Sequence, residues 1–237
     1  MKCHWKIVKM SDLKFMKEIM YNEEIKDKEK DGFDFNRRFN TYRLLHVFRP
    51  IFKFIFKKEI IITALEDIKT KEAVGGLISS IDYSNKSAFI GHVSIVEEYR
   101  GAGLGTFMIG EAIKFLREKK VKSVELSTDI GNAAAKGIYL NNGFQISGII
   151  YQLRGFFFRA PIKSSILKRI LYKILLNEDR ISSDNEEIKI WWVKTNKGWH
   201  TFIQSGINGE DRIKQMVEKV RLETTKIKRE LVFTKTF

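Results

Sequence analysis

Residues Ser94–Leu116 read SIVEEYRGAGLGTFMIGEAIKFL. An apolar run stops at Val96, a basic residue stands at Arg100, and Gly101, Gly103 and Gly105 alternate before a helical pattern opens. Leu104, Met108, Ala112 and Leu116 recur at helical spacing, with Glu111, Lys114 and Glu118 on the opposite side. A strand that ends in such a turn gathers free backbone N–H groups at a helix N-terminus, where they and the helix dipole favour a phosphate. Glycine lets the ligand's oxygens come close to the backbone. A P-loop needs Gly-Lys-Ser/Thr, and Gly105-Thr106 has no lysine between. A dinucleotide fingerprint needs a third Gly or Ala where Thr106 stands, and Asp129 comes too late to hold a ribose.

The flanking segments supply a mixed α/β pattern. HWKIVKM near the N-terminus alternates as a strand, and Ser11 is the expected N-cap of a helix through Leu13, Met16 and Ile19. Residues 33–56 are aromatic and basic, and Pro50 divides them. EIIITALED and AVGGLISSIDY form paired strands, and SAFIGHVSIV, apolar on both parities, is a central one. VKSVELSTD is a further strand. Asn132 then caps a helix that Gly143 ends, and FQISGIIYQL extends again. Beyond Arg159, Ile162, Ile166, Ile170 and Ile174 mark a basic amphipathic helix. NEDRISSDNEE reads as a linker, IKIWWVKTNKGWHTFI as a hairpin, and a helix from about Glu210 precedes a last strand, RELVFTKTF.

SIVEEYRGAGLGTFMI resembles motif A of the GNAT superfamily of acyl-CoA-dependent N-acyltransferases, whose Arg/Gln-x-x-Gly-x-Gly/Ala pattern is met by Arg100, Gly103 and Gly105. NAAAKGIYLNNGF resembles motif B through Asn132, Ala135, Ile138, Tyr139, Gly143 and Phe144, with isoleucine in place of the usual leucine. The resemblance runs from about Ala73 to Phe144 and stops before Arg159. It implies a mostly antiparallel central sheet with helices on both faces, here followed by a C-terminal α/β extension. The expected organisation is an acetyltransferase-like domain over 1–159, a basic helix and linker over 160–187, and an extension over 188–237 that joins the sheet.

The same resemblance implies transfer of an acetyl group from acetyl-CoA to a primary amine by direct attack. The backbone of Val93, Ser94 and Ile95 would pair with the pantetheine arm, the Ile95 N–H polarising the thioester carbonyl. Arg100, Gly101, Ala102, Gly103, Leu104, Gly105 and Thr106 would cradle the pyrophosphate. Asn132 would help hold the arm, and Tyr139 would protonate the departing thiolate. Positioning and oxyanion stabilisation would carry most of the rate. The position on the central strand where some family members keep a carboxylate base holds Phe89, so His92 becomes the candidate base, with Asp82 and Asp129 acting through water. Glu97 and Glu98 are expected to face solvent. The alternative is a non-catalytic acyl-CoA-binding or regulatory module on the same fold.

Composition narrows the setting. The 237 residues are 43% hydrophobic and 30% charged, which suits a folded soluble chain. Cys3 is the sole cysteine, so no internal disulfide forms, in keeping with a cytoplasmic location. The four histidines have no metal-ligand spacing, and no metal is expected. The N-terminus lacks the apolar core of a signal peptide, and no apolar run reaches roughly 18 residues. The net charge of +14 equals the cation content of two acid-free windows, 35–58 and 130–177. The first also holds Phe35, Phe39, Phe48, Phe52, Phe54 and Phe56. Such windows suit an anionic acceptor (an amino sugar, a peptide or a lipid-linked amine) or peripheral contact with an anionic membrane. They carry no nucleic-acid recognition module, and a homodimer is left open.

Overall fold

The structure, a computed structural model, describes residues 2–21, 33–154, 180–184, 188–195, 198–206, 211 and 227–237. The expected helices through Ile162–Ile174 and from about Glu210 lie outside these residues, apart from the single position 211. The strands are β1 (Cys3–Ile7), β2 (Lys58–Asp67), β3 (Ala73–Asp82), β4 (Ser87–Ile95), β5 (Ser123–Asp129), β6 (Gln145–Arg154), β7 (Arg180–Asp184), β8 (Ile188–Thr195), β9 (Gly198–Gly206) and β10 (Ile227–Thr236). They form one ten-stranded sheet in the order β1-β2-β3-β4-β5-β10-β6-β9-β8-β7. Among the described strands, only β4 and β5 pair in parallel. The described helices are α1 (Leu13–Met20), α2 (Phe35–Val47), α3 (Arg49–Phe56), α4 (Leu104–Glu118) and α5 (Ala133–Asn141).

Two expectations need correction. Ser11 does not cap α1: Met10–Asp12 form a 3-10 turn, the Ser11 hydroxyl donates to Asp12 Oδ1 at 2.7 Å, and Asp12 holds the cap position. Within the presumed linker, Arg180–Asp184 is strand β7 on the sheet edge, paired to β8 from Arg180↔Val193 to Asp184↔Lys189. Its polar composition concealed it because an edge strand can leave both faces wet.

Each face of the sheet has its own core. One holds α4 and α5 against Ile61, Leu77, Ile81, Ile90, Leu126 and Phe233. The other packs α1 and α2 on β2–β4 through Met16, Phe39, Ile62 and Ile78. Gly76 is the contact point for α1, since a Cβ there would stand 2.4 Å from Met16 Cε. Pro50 starts α3 as expected, in the first turn where its missing N–H costs no hydrogen bond.

His46 fastens the end of α2 to the sheet. It is buried, receives the Ile62 N–H at Nδ1 (3.1 Å) and donates from Nε2 to the Val8 carbonyl at 2.9 Å, so the ring is the neutral Nε2–H tautomer. Burial holds its pKa below the ordinary 6.5, with Arg49 pushing the same way. The unfolded chain therefore takes up a proton that the folded one refuses. The stabilisation is present above about pH 6.5 and is lost as pH falls through the depressed value. Unfolding free energies from urea titrations between pH 7 and 5 are expected to fall more steeply for the wild type than for His46→Gln, by up to about 1.4 kcal/mol per pH unit. Equal pH dependence would show that His46 binds its proton as readily folded as unfolded.

Candidate active site

The site begins where two parallel strands separate. β4 pairs with β5 from Ser87↔Ser123 to Ile90↔Leu126 and no further. At Gly91 the β3–β4 register slips, with Ile78↔His92 followed by Ser79↔Ile90, so Gly91 is an extra residue that bends β4. β5 meanwhile continues to Asp129 beside β10, through Ser127↔Val232 and Asp129↔Glu230. Among the described residues, Gly91–Ile95 has no strand partner on its β5 side.

The hydrogen-bond alternation shows which groups face this opening. Val96 N–H donates to Val74 O at 2.9 Å, so His92 and Ser94, at the same parity, direct their peptide groups to β3. Val93 and Ile95 direct theirs into the cleft. Of the three expected contacts, Val93 and Ile95 are aimed as required, and Ser94 turns its backbone to Gly76.

His92 and Ser94 have another task. Their side chains lie on the α1 face, where the last carbonyls of a helix need donors. His92 Nε2 bonds Met20 O and Ser94 Oγ donates to Ile19 O, both at 2.9 Å. They fix the end of α1 over the splayed strand. His92 is thus an Nε2–H donor.

Beyond β4, Glu97–Tyr99 form a 3-10 turn with Glu97 and Glu98 in solvent, and the glycine turn follows. Gly101 (φ 80°) and Gly103 (φ 76°) occupy the left-handed region that L side chains avoid. A Cβ at either would meet no protein atom within 4 Å, so the space in front of the turn is open. Gly103 is the N-cap of α4 without a side-chain cap bond, and the first helical bond runs from Phe107 N–H to Gly103 O at 3.1 Å. The N–H groups of Leu104, Gly105 and Thr106 therefore have no intrahelical acceptor. Ala102 is exposed in the same turn. Arg100 Nε donates to Ile95 O at 3.1 Å, holding the Ile95–Val96 peptide while Arg100 stays at the exposed rim.

The third glycine has a different purpose. A Cβ on Gly105 would lie 2.7 Å from Ile138 Cδ1, so this glycine lets α5 dock on the first turn of α4. On α5 Tyr139 is buried at 7% exposure with its ring edge-on to Phe233 at 5.4 Å. Asn132 caps α5 through Oδ1, which accepts from Ala135 N–H at 3.1 Å. Asn142 Nδ2 ties α5 to the turn by donating to Thr106 O at 3.2 Å. Lys235 Nζ donates to Asn142 O at 2.7 Å, placing a cation at the C-terminus of α5.

On the face that carries α1 and α2, β5 and β10 present Glu125, Ser127, Asp129 and Glu230. Their register neighbours Val124, Leu126, Phe233 and Leu231 point to the opposite core. Ser127 Oγ donates to Glu230 Oε2 at 2.7 Å. Asp82 lies far away at the other end of β3, bound to Lys58, with its carboxyl below the ordinary value despite burial. Cys3 sits on edge strand β1, and burial raises its thiol pKa, so it offers no thiolate to this chemistry.

The family profile of the Acetyltransferase (GNAT) family matches residues 20–144, more than half of the chain. The chain belongs to the GNAT family. A Bacillus subtilis (strain 168) candidate [ribosomal protein bS18]-alanine N-acetyltransferase is 34% identical over 62 residues, 26% of this chain and 41% of that protein. The chain thus matches less than half the length of this curated relative. Among solved structures, the Thermoplasma acidophilum PaiA N-acetyltransferase in complex with coenzyme A shares 16% identity over 62% of this chain and 91% of that one, at a TM-score of 0.47. The Brucella melitensis ribosomal-protein-alanine N-acetyltransferase shares 16% over 86% and 99%, at 0.48.

Gly103→Val places a side chain in the open space before the helix N-terminus and strains a left-handed backbone. Acetyl-CoA affinity is expected to fall at least about tenfold, as for loss of one or more charge-assisted hydrogen bonds. The thermal transition should stay cooperative. Isothermal titration checks this, and unchanged affinity in a folded variant would remove the turn from the binding site.

Proposed function

We propose that the protein transfers the acetyl group of acetyl-CoA directly to a primary amine, as a soluble cytoplasmic enzyme. The observation that carries this reading is the union, within one turn of chain, of an unpaired stretch of β4 and an uncapped helix N-terminus. The pyrophosphate would lie on the N–H groups of Leu104–Thr106 with Arg100 at the rim. The pantetheine amides would pair with the open peptide groups of Val93, the Ile95 carbonyl being held by Arg100. The thioester carbonyl would receive the Ile95 N–H, whose negative partner forms only as the amine attacks. As the tetrahedral adduct collapses, the C–S bond breaks and the thiolate leaves. Tyr139 would give it a proton.

The amine would approach over the face of β5 and β10, where Glu125, Asp129 and Glu230 favour an ammonium. That arrangement supports a cationic reactive end, whatever charge the rest of the acceptor carries. Deprotonation before attack is the demanding step, for which His92 is the candidate base, with these carboxylates on the face of β5 and β10. An α-amine, with a pKa of about 7.7–8.0, needs far less help than a lysine at about 10.4. A peptide N-terminus is therefore the preferred acceptor class, and the Bacillus relative's name points the same way. The fourteen cations of the two basic windows would serve anionic parts of such a substrate or another surface.

Thiol release with acetyl-CoA and a panel of N-terminal alanine peptides, polyamines and amino sugars tests the activity. No turnover beside intact acetyl-CoA binding would favour the non-catalytic reading. Tyr139→Phe is expected to lower kcat about a hundredfold or more while acetyl-CoA affinity stays within about twofold. A fully active variant would mean that solvent protonates the thiolate.

A further inference from the structure

Helix α3 carries its apolar side outward. An amphipathic helix on a folded protein normally directs its apolar stripe inward, yet no residue of α3 is buried. Phe48, Ile51, Phe54, Ile55 and Phe56 are 45%, 54%, 81%, 60% and 36% exposed. At about 100° per residue, an arc of roughly 200° runs from Phe54 through Ile51, Ile55, Phe48 and Phe52 to Phe56 without a polar side chain. The rings of Phe52 and Phe56 stand 5.3 Å apart and continue the patch on one flank. Arg49, Lys53 and Lys57 follow at steps of four on the opposite side.

Three contacts on the charged side set this orientation. Arg49 Nε lies 3.8 Å from Glu59 Oε1, and Lys53 Nζ stands 4.4 Å from the centre of the Tyr83 ring. The Tyr83 N–H donates to Lys57 O at 2.8 Å and so ties the end of the helix to the loop after β3. The Tyr83 hydroxyl donates to Glu59 Oε2 at 2.5 Å, which joins the first two anchors in one cluster. Glu59 is buried. Rolling the stripe inward would part Arg49 from that carboxylate and leave a buried charge with less to balance it. The stripe is therefore held in water, where large apolar patches mark contact sites.

The size and chemistry of the stripe select its occupant. With roughly 200 Å² for each side chain in full, the exposed fractions leave about 500 Å² of apolar surface on one chain. Two such faces together bury about 1,000 Å², the lower bound for a specific interface. The stripe offers no hydrogen bond and no charge by which to read a different partner. It asks only for an apolar helix face of the same length with its charges turned away, and a second copy of α3 is such a face. An isologous contact requires a patch that complements itself, and an uncharged apolar one does.

We propose that α3 is the self-association face of the chain, packing antiparallel against α3 of a second copy across a two-fold axis. Ile51 and Ile55, one turn apart, lie along the middle of the stripe, with Phe48 and Phe54 on either side. The cations stay on the far side of each helix, in contact with their own chain. Tyr83 precedes β4 and the glycine turn follows it, so a nine-residue strand sets the contact roughly 25–30 Å from that turn. Both acetyl-CoA sites remain open in the dimer, and the proposal is independent of the acyl-transfer reading.

Sedimentation equilibrium with the full chain tests it. A dimer is expected at tens of micromolar. It should tighten as salt rises, because screening relieves the repulsion between two chains of net charge +14 and leaves an apolar contact intact. Phe54→Ser with Ile55→Ser should weaken dimerisation about a hundredfold or more. The melting temperature of the monomer and the acetyl-CoA affinity should be unchanged. In a second measurement, a Cys3→Ser chain carrying Ile51→Cys is mixed with a Cys3→Ser chain carrying Ile55→Cys. Mild oxidation should cross-link the two, and Lys53→Cys in place of Ile55→Cys should not. A monomer at all concentrations, or a dimer that the serine variant leaves intact, would overturn the proposal. So would a serine variant that melts earlier as a monomer, which would place the stripe against the chain itself.

Discussion

The active-site architecture depends on one broken pairing. A parallel strand pair left intact would satisfy every backbone group of β4 and leave no cleft. The extra residue at Gly91 bends β4 away just after Ile90, and β10 holds β5 straight on its other side. Unpaired peptide groups are costly inside a protein unless something meets them. Val93 and Ile95 keep theirs exposed in a cleft of their own making, and Arg100 occupies one of them, the Ile95 carbonyl. The turn that follows brings three further donors to the same place. A ligand that is an extended chain of amides ending in phosphates answers both halves.

Much of this was legible in the sequence because local chemistry and tertiary role coincide. Gly101 and Gly103 are glycines for their backbone angles, Asn132 for its cap and Gly143 for its left-handed turn at φ 76°. The paired motifs placed α4 and α5 correctly. Gly105 was legible as part of the motif, but its reason was not: it answers Ile138, thirty-odd positions away, and no local pattern states that contact.

The remainder was set by distant partners. His92 looked like a base because a strand histidine near the turn has the right chemistry; its bond to Met20 O depends on where α1 ends. Arg100 looked like a phosphate ligand alone, and its hold on Ile95 O needed the turn's geometry. The polar stretch at Arg180–Asp184 gave no alternating signal, so its place on the sheet edge was invisible. Phenylalanines 35–56 read as one aromatic run, yet Phe35 and Phe39 are core while Phe54 is the most exposed large apolar side chain among the described residues. Pro50 marked the division between those fates without revealing their direction.

The central claim is that Val93 and Ile95 offer their amides to acetyl-CoA and that Ser94 does not. Residue-resolved amide hydrogen exchange measures it directly. Without ligand, Ser94 N–H, paired to β3, should exchange slowly, while Val93 and Ile95 N–H exchange fast. Saturating acetyl-CoA should then protect Val93 and Ile95 together with Leu104, Gly105 and Thr106, and leave Ser94 unchanged. Slow exchange at Val93 and Ile95 in the free protein, or protection confined to other strands on adding acetyl-CoA, would contradict the account.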